Sequence, residues 1–320
     1  MPAETPTLIG PYRVVELIGQ AGQTTVYKAA DPQGRTVAVK LFPPRLTRDP
    51  AVVERFHREL REFAAVSRHP HLVHVLETGQ HEDRLFLAME YVPGTSLDRV
   101  LRQRRLSVQE AFAVLRGICR GLAHAHEHGF LHRHLTPRNV LVSEDFGRIE
   151  VSDVGSSSFE VVTDLTGTVS TGEIALAGLY YLAPEQVEGG RVDHRADLYS
   201  AGVILHEMLT GRTPGPRFGL PSQLNAELPS AVDVVVLKCL ARKPSERYAT
   251  ALDLLADVAR LEETLHLRVL SEIRGISQAG SRLLGGGEDE EGTKRPYLLY
   301  VGIGLLVVAV IAAVVYFFLR

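Results

Sequence analysis

The hydrophobic period of this chain is mainly that of strands before Pro93-Gly94 and mainly that of helices after it. Before Pro93-Gly94 the apolar residues fall in short β-rich runs over 12–18, 25–30, 36–41, 72–76 and 85–90, the pattern of strands bounded by turns. One segment breaks it. Across 51–67 the residues Val52, Phe56, Leu60 and Phe63 recur every three or four positions, which places a helix after the third strand. Beyond Pro93-Gly94, long apolar stretches over 108–128 and 197–209 predict a mainly helical remainder. The fold class is therefore α+β, a small β-rich part followed by a larger helical one, and 320 residues are enough to bury a sizeable core. No internal repeat is present.

The far end has a third character. No charged residue occurs from Tyr297 to Leu319, and a helix of that length spans about 35 Å, more than the roughly 30 Å of a bilayer's hydrocarbon core. A single transmembrane helix at 297–319 is expected, a tail anchor in the lipid bilayer with only Arg320 beyond it. Lys294 and Arg295 precede the span, so the large N-terminal part is expected in the cytoplasm, and the start of the chain lacks the basic and apolar regions of a signal peptide. Residues 263–296, which include the run Gly285-Gly286-Gly287-Glu288-Asp289-Glu290-Glu291-Gly292, read as a flexible juxtamembrane linker, and 1–11 as an N-terminal tail.

Composition excludes some functions. A formal net charge of −3 gives no reason to expect a nucleic-acid partner. The two cysteines, Cys119 and Cys239, lie far apart in apolar helical stretches and fit buried thiols better than a disulfide or metal motif. His124, His126, His128, His132 and His134 are dense enough to raise a metal site, but residues two apart do not share a helix face and no carboxylate or thiol pattern accompanies them.

The chemistry sits in short motifs in a fixed order: Gly19-Gln20-Ala21-Gly22, Val37-Ala38-Val39-Lys40, Arg58-Glu59-Leu60, the loop Leu131-His132-Arg133-His134-Leu135-Thr136-Pro137-Arg138-Asn139, then Ser152-Asp153-Val154-Gly155 and Ala183-Pro184-Glu185. Together they resemble the bacterial eukaryotic-like Ser/Thr protein kinases over residues 12–262, with a small lobe at 12–92 and a large lobe at 93–262. The resemblance implies a bilobed protein-kinase-like fold that takes ATP and Mg²⁺. It implies that Lys40, paired with Glu59, faces the nucleotide phosphates, and that Asn139 and Asp153 hold the metal. Ile18, Val26, Ala38, Met89 and Leu141 then line the adenine pocket, Glu90 to Val92 form the hinge, and Gly19 opens the phosphate loop. Glu185 with Arg247, and Asp197 under the catalytic loop, match structural positions of the family.

The departures cluster on transfer. His134 stands where the family has the aspartate that accepts the substrate proton, and Thr136 where it has the lysine that neutralises the transferred group. Ala21 and Thr24 replace the second and third loop glycines, Val154 a phenylalanine, and Gly178 the threonine that contacts the catalytic loop. The chain reaches Pro221 soon after Pro214, so the family's helix G region is shortened. The resulting reading is an ATP- and magnesium-binding pseudokinase, a membrane-anchored signalling scaffold or allosteric regulator for an unidentified protein partner. Two alternatives stay open: a slow Ser/Thr kinase using His134 as base, and an interaction module that binds no nucleotide. The serines and threonines of 156–171 read as a polar loop open to phosphorylation.

Overall fold

A computed structural model describes residues 6–156, 159, 178–215 and 218–264. The chain divides into two compact units, Met1–Val258 and Ala259–Arg320; of the second, the described part is the end of a helix over 251–264.

The small lobe of the first unit is one antiparallel sheet of β1 (Leu8–Ile9), β2 (Tyr12–Ala21), β3 (Thr24–Ala30), β4 (Thr36–Leu41), β5 (Val75–His81) and β6 (Arg84–Glu90), in the order β1-β2-β3-β4-β6-β5. Leu8–Ile9, which the sequence reading places in a tail, pair with β2 as an edge strand, and Ile9 is fully buried. Helix α1 (Pro50–Val66) is capped by the Asp49 carboxylate, which accepts from the Ala51 N–H at 2.9 Å, and it buries Phe56, Leu60 and Phe63.

The strand expected over 72–76 begins only at Val75, for a reason outside the local sequence. The His71–Val73 backbone is taken by the large lobe: Val151 N donates to His71 O and Val73 N to Val151 O, both at 3.0 Å. Val75 N turns instead to Ser67 Oγ at 3.1 Å.

The large lobe opens with β7 (Thr95–Ser96) and α2 (Leu97–Gln103), followed by α3 (Val108–Glu127). A reciprocal Ser107–Glu110 capping box starts α3, which buries Phe112, Leu115, Ile118 and Leu122. β8 (Val140–Val142) and β9 (Ile149–Val151) join β7 in a second sheet. After them come α4 (Pro184–Val187), α5 (Arg195–Thr210), α6 (Pro221–Leu224) and α7 (Ala231–Cys239). The four-residue α6 is what stands in the shortened region. At Gly202 a Cβ would come within 2.3 Å of Cys239 Cβ, so glycine is what lets α5 and α7 approach. Both cysteines are buried free thiols, and burial pushes Cys119 up to about 12.

Among the described residues no helix is long and apolar enough to cross a membrane; the expected span at 297–319 and the linker from 265 onward lie outside them.

One ion pair fastens the start of α4. Both guanidinium amines of the fully buried Arg247 side chain donate to the Glu185 carboxylate at 2.7 Å, and its Nε donates to Ala241 O at 2.9 Å. Removing one partner of such a pair leaves a desolvated charge. Arg247→Ala is expected to destabilise the fold by about 3–5 kcal/mol in urea denaturation; a loss below about 1 kcal/mol would mean the pair is not structural.

Candidate active site

β4 places the first functional side chain. Lys40 sits in the sheet opposite Leu87 on β6 and Val26 on β3, is 4% exposed, and points its ammonium between the lobes. The sheet around it carries the apolar pocket: Ala38, Val73, Met89 and Val92 form one buried cluster, with Ile18, Val26, Tyr91 and Leu141 packed on it. All the lining residues named from sequence meet here. Val73 was missed, because its apolar character does not distinguish it from ordinary core, and Tyr91 was placed in the hinge only by its backbone. Glu90, at the hinge, is exposed and pairs with Arg148 at 2.7 Å.

The phosphate loop is a tight hairpin. Gly22, at φ +56°, carries the turn between Ala21 and Thr24, a conformation that glycine adopts without strain. The glycine required by the turn is therefore present, while Gly19 lies in β2 beside a register shift between Leu17 and Gly19.

Asp197 shapes the catalytic loop. Its buried carboxylate accepts from His132 N at 2.9 Å, Arg133 N at 2.7 Å and His126 Nε2 at 2.8 Å, which holds Arg133 at φ +64°. Burial alone would raise the Asp197 pKa, but the His126 hydrogen bond and the charges of His126 and His132 bring it below the ordinary carboxylate range. The histidines seen in the sequence thus go separate ways. His126 supports Asp197, His124 bonds Val66 O at 2.8 Å and stacks on His69, and His128 bonds His124 O. No metal-binding group of three or more histidine, cysteine or carboxylate side chains exists among the described residues.

From this loop a chain of polar contacts crosses the cleft. Lys40 Nζ donates to Asp153 Oδ1 at 2.7 Å, Asn139 Nδ2 donates to Asp153 Oδ2 at 2.8 Å, and Thr136 Oγ1 donates to Asn139 Oδ1 at 2.8 Å. Asp153 itself is at φ +68°, an uncommon position for a residue with a side chain. Burial pushes its carboxyl up, but Lys40 and the Asn139 hydrogen bond outweigh that and hold it at about 2. Glu59, the expected partner of Lys40, lies 3.7 Å from Arg55 one turn back on α1, whereas the ion pair described for Lys40 is with Asp153. Val154 is buried beneath, and the fully buried Phe159 sets its ring edge-on to Phe56 of α1, 5.2 Å between centroids. Phe159 was missed in the sequence, because nothing local marks a lone aromatic as a plug.

Oxygen donors suit magnesium, and the Asp153 carboxylate fits it. Asn139 does not fit as it stands: its amide oxygen points to Thr136 and its amide nitrogen to Asp153.

His134 makes no hydrogen bond among the described residues. A Cβ on Gly178 would sit at van der Waals distance, 3.8 Å, from its Nε2, so a side chain at 178 would pack against the ring. Burial above all, then the charges of His132 and Lys40, depress its pKa to about 4, with Asp153 opposing.

The comparisons with known proteins decide the family. The sequence matches the protein kinase domain family over residues 12–262. This chain is a protein kinase family member. It is similar to bacterial Ser/Thr kinases, among them PrkC of Bacillus subtilis, 33% identical over 265 residues, and PknB of Mycolicibacterium smegmatis, 34% over 272. These alignments cover 78% and 79% of this chain but only 40% and 43% of those proteins, so the chain spans about two-fifths of their length. The crystal structure of the Mycobacterium tuberculosis PknI kinase domain superposes with a TM-score of 0.65 at 26% identity, over 79% of this chain and 96% of that one. Family membership implies ATP and Mg²⁺ as the ligands of the cleft between the lobes of this kinase domain.

In the folded kinase domain His134 stays neutral down to about pH 4, whereas in the unfolded chain it protonates near 6.5. Between these values the unfolded state binds the extra proton, so stability falls as pH falls through the window. From pH 7 to 4.5 this group removes on the order of 2 kcal/mol. His134→Gln is expected to lose less stability than wild type over that range in urea titrations, and parallel curves would show that the ring is freely solvated.

Proposed function

We propose that this chain is a nucleotide-binding pseudokinase of the bacterial Ser/Thr branch, tethered to a membrane by 297–319, that regulates a protein partner through the state of its cleft. The observation that carries this reading is the distribution of charge. Lys40 and Asp153 remain as a buried pair able to receive a triphosphate, while neither His134 nor Thr136 supplies charge where transfer needs it. Neutral His134 attracts no hydroxyl proton electrostatically, and the Thr136 hydroxyl is turned inward to Asn139. General acid–base assistance alone is worth about 10² to 10⁴ in rate. Loss of the cation adds to that, because kinase catalysis rests mainly on positioning and electrostatic stabilisation.

Regulation follows from what a ligand must break. A triphosphate that recruits Lys40 competes with Asp153 for the ammonium and so favours one arrangement of the lobes over another, which is the differential affinity that a population shift requires. Ser156 Oγ reaches Asp153 Oδ1 at 3.4 Å, and Phe159, whose N–H donates to Ser156 O, packs on Phe56 of α1, so a change at Asp153 has a route to the start of the 156–178 segment. The serines and threonines of 157–158 and 160–171 lie outside the described residues.

A slow Ser/Thr kinase is the second reading, and one observation favours it. His134 is a neutral acceptor with no hydrogen-bond partner among the described residues, its Nε2 facing Gly178. A neutral imidazole can take a proton.

Two measurements separate the readings. ATP with magnesium at millimolar concentration is expected to raise the melting temperature of wild type, and Lys40→Ala to abolish the shift; an unchanged wild-type melt would remove nucleotide binding. Phosphate transfer in wild type is expected to be at least about 10²-fold below that of the double variant His134→Asp, Thr136→Lys. Wild-type transfer equal to the double variant and lost in Asp153→Ala would establish the kinase instead.

A further inference from the structure

Thr136 does more than fail to be a lysine. It is the residue before the short turn Pro137–Asn139, and Asn139 folds back over it: Asn139 N donates to Thr136 O at 3.0 Å, and Asn139 Oδ1 accepts from Thr136 N at 3.2 Å and Thr136 Oγ1 at 2.8 Å. An amide oxygen has two lone pairs, and both are engaged. Turning the amide over would set its NH₂ against the Thr136 N–H and its oxygen against the Asp153 carboxylate, so donors would face donors and acceptors would face acceptors. The orientation is fixed from both sides, and both residues are buried, where a broken hydrogen bond is not replaced by water.

In the kinase family two divalent cations are held by the aspartate and the asparagine at these positions. Here the asparagine oxygen is occupied by the protein itself. We infer that this cleft holds its nucleotide with at most one divalent cation, on Asp153, because the Thr136 hydroxyl withholds Asn139 from metal. The inference rests on the nucleotide-binding reading above and narrows its ligand to a triphosphate carrying a single metal. A lysine at 136 could not form this lock, since its ammonium lies several bonds beyond the reach of a hydroxyl on Cβ. The exchange therefore removes a cation from one side of the transferred phosphate and a metal ligand from the other.

The test uses manganese(II) and a non-hydrolysable ATP analogue with the full chain, counting bound manganese by electron paramagnetic resonance at saturating nucleotide. Wild type and Thr136→Ser, which keeps the hydroxyl, are expected to bind one manganese per nucleotide. Thr136→Val, which keeps the shape and removes the donor, is expected to gain a second, weaker site. Asn139→Ala in the wild-type background is expected to leave the count unchanged, and this holds the inference to account even where Thr136→Val folds poorly. Two manganese ions per nucleotide in wild type, or a site lost in Asn139→Ala, overturns the inference while nucleotide binding stands. Nucleotide retained by no variant, with or without manganese, overturns both.

Discussion

The pair between Lys40 and Asp153 is the contact on which the site depends. It joins residues 113 positions apart, one on the sheet of the small lobe and one after β9 of the large, at 2.7 Å and almost out of solvent. Each charge is tolerable there only because the other is present; a buried ion without its partner costs several kcal/mol. The fold brings them together from two directions. The register of β3, β4 and β6 fixes Lys40, and the Asn139 and Ser152 side chains hold the Asp153 carboxylate on its other oxygen. At that distance the two charges neutralise each other.

The same loop shows how binding groups can persist while transfer groups are lost. Asp197, itself held by His126 of α3, braces it with two hydrogen bonds to its backbone, and the buried pair of Glu185 and Arg247 secures α4. These scaffold contacts involve neither His134 nor Thr136. Substitution at the two transfer positions therefore leaves the loop's backbone supports in place. Thr136 even adds a support of its own, because its hydroxyl closes the turn that Asn139 begins. One side chain thus takes the place of the family's lysine and adds local order.

Much of this was legible in the residues. Strands β3, β4 and β6 and helices α1, α3 and α5 follow from period and turn chemistry, with ends within a residue or two of those expected. The apolar residues that the family resemblance singles out, Ile18, Val26, Ala38, Met89 and Leu141, pack in one cluster. What the sequence concealed was mostly a choice of partner at long range. Leu72 and Val73 look like a strand, yet their backbone belongs to Val151; Lys40 has two carboxylates in prospect, and the described pair is with Asp153. The inward turn of Thr136 was hidden for another reason: a hydroxyl's direction depends on the backbone around it, and only the fold supplies that.

The two thiols give the molecule an internal reporter. Cys119 and Cys239 lie fully buried in the large lobe, and the close approach at Gly202 seats Cys239 against α5. Burial keeps both protonated, so the thiolate that would attack an alkylating reagent is absent from both while α3, α5 and α7 are packed. Chemical labelling of this chain therefore measures opening of the helical core, and leaves rearrangement of the cleft unseen.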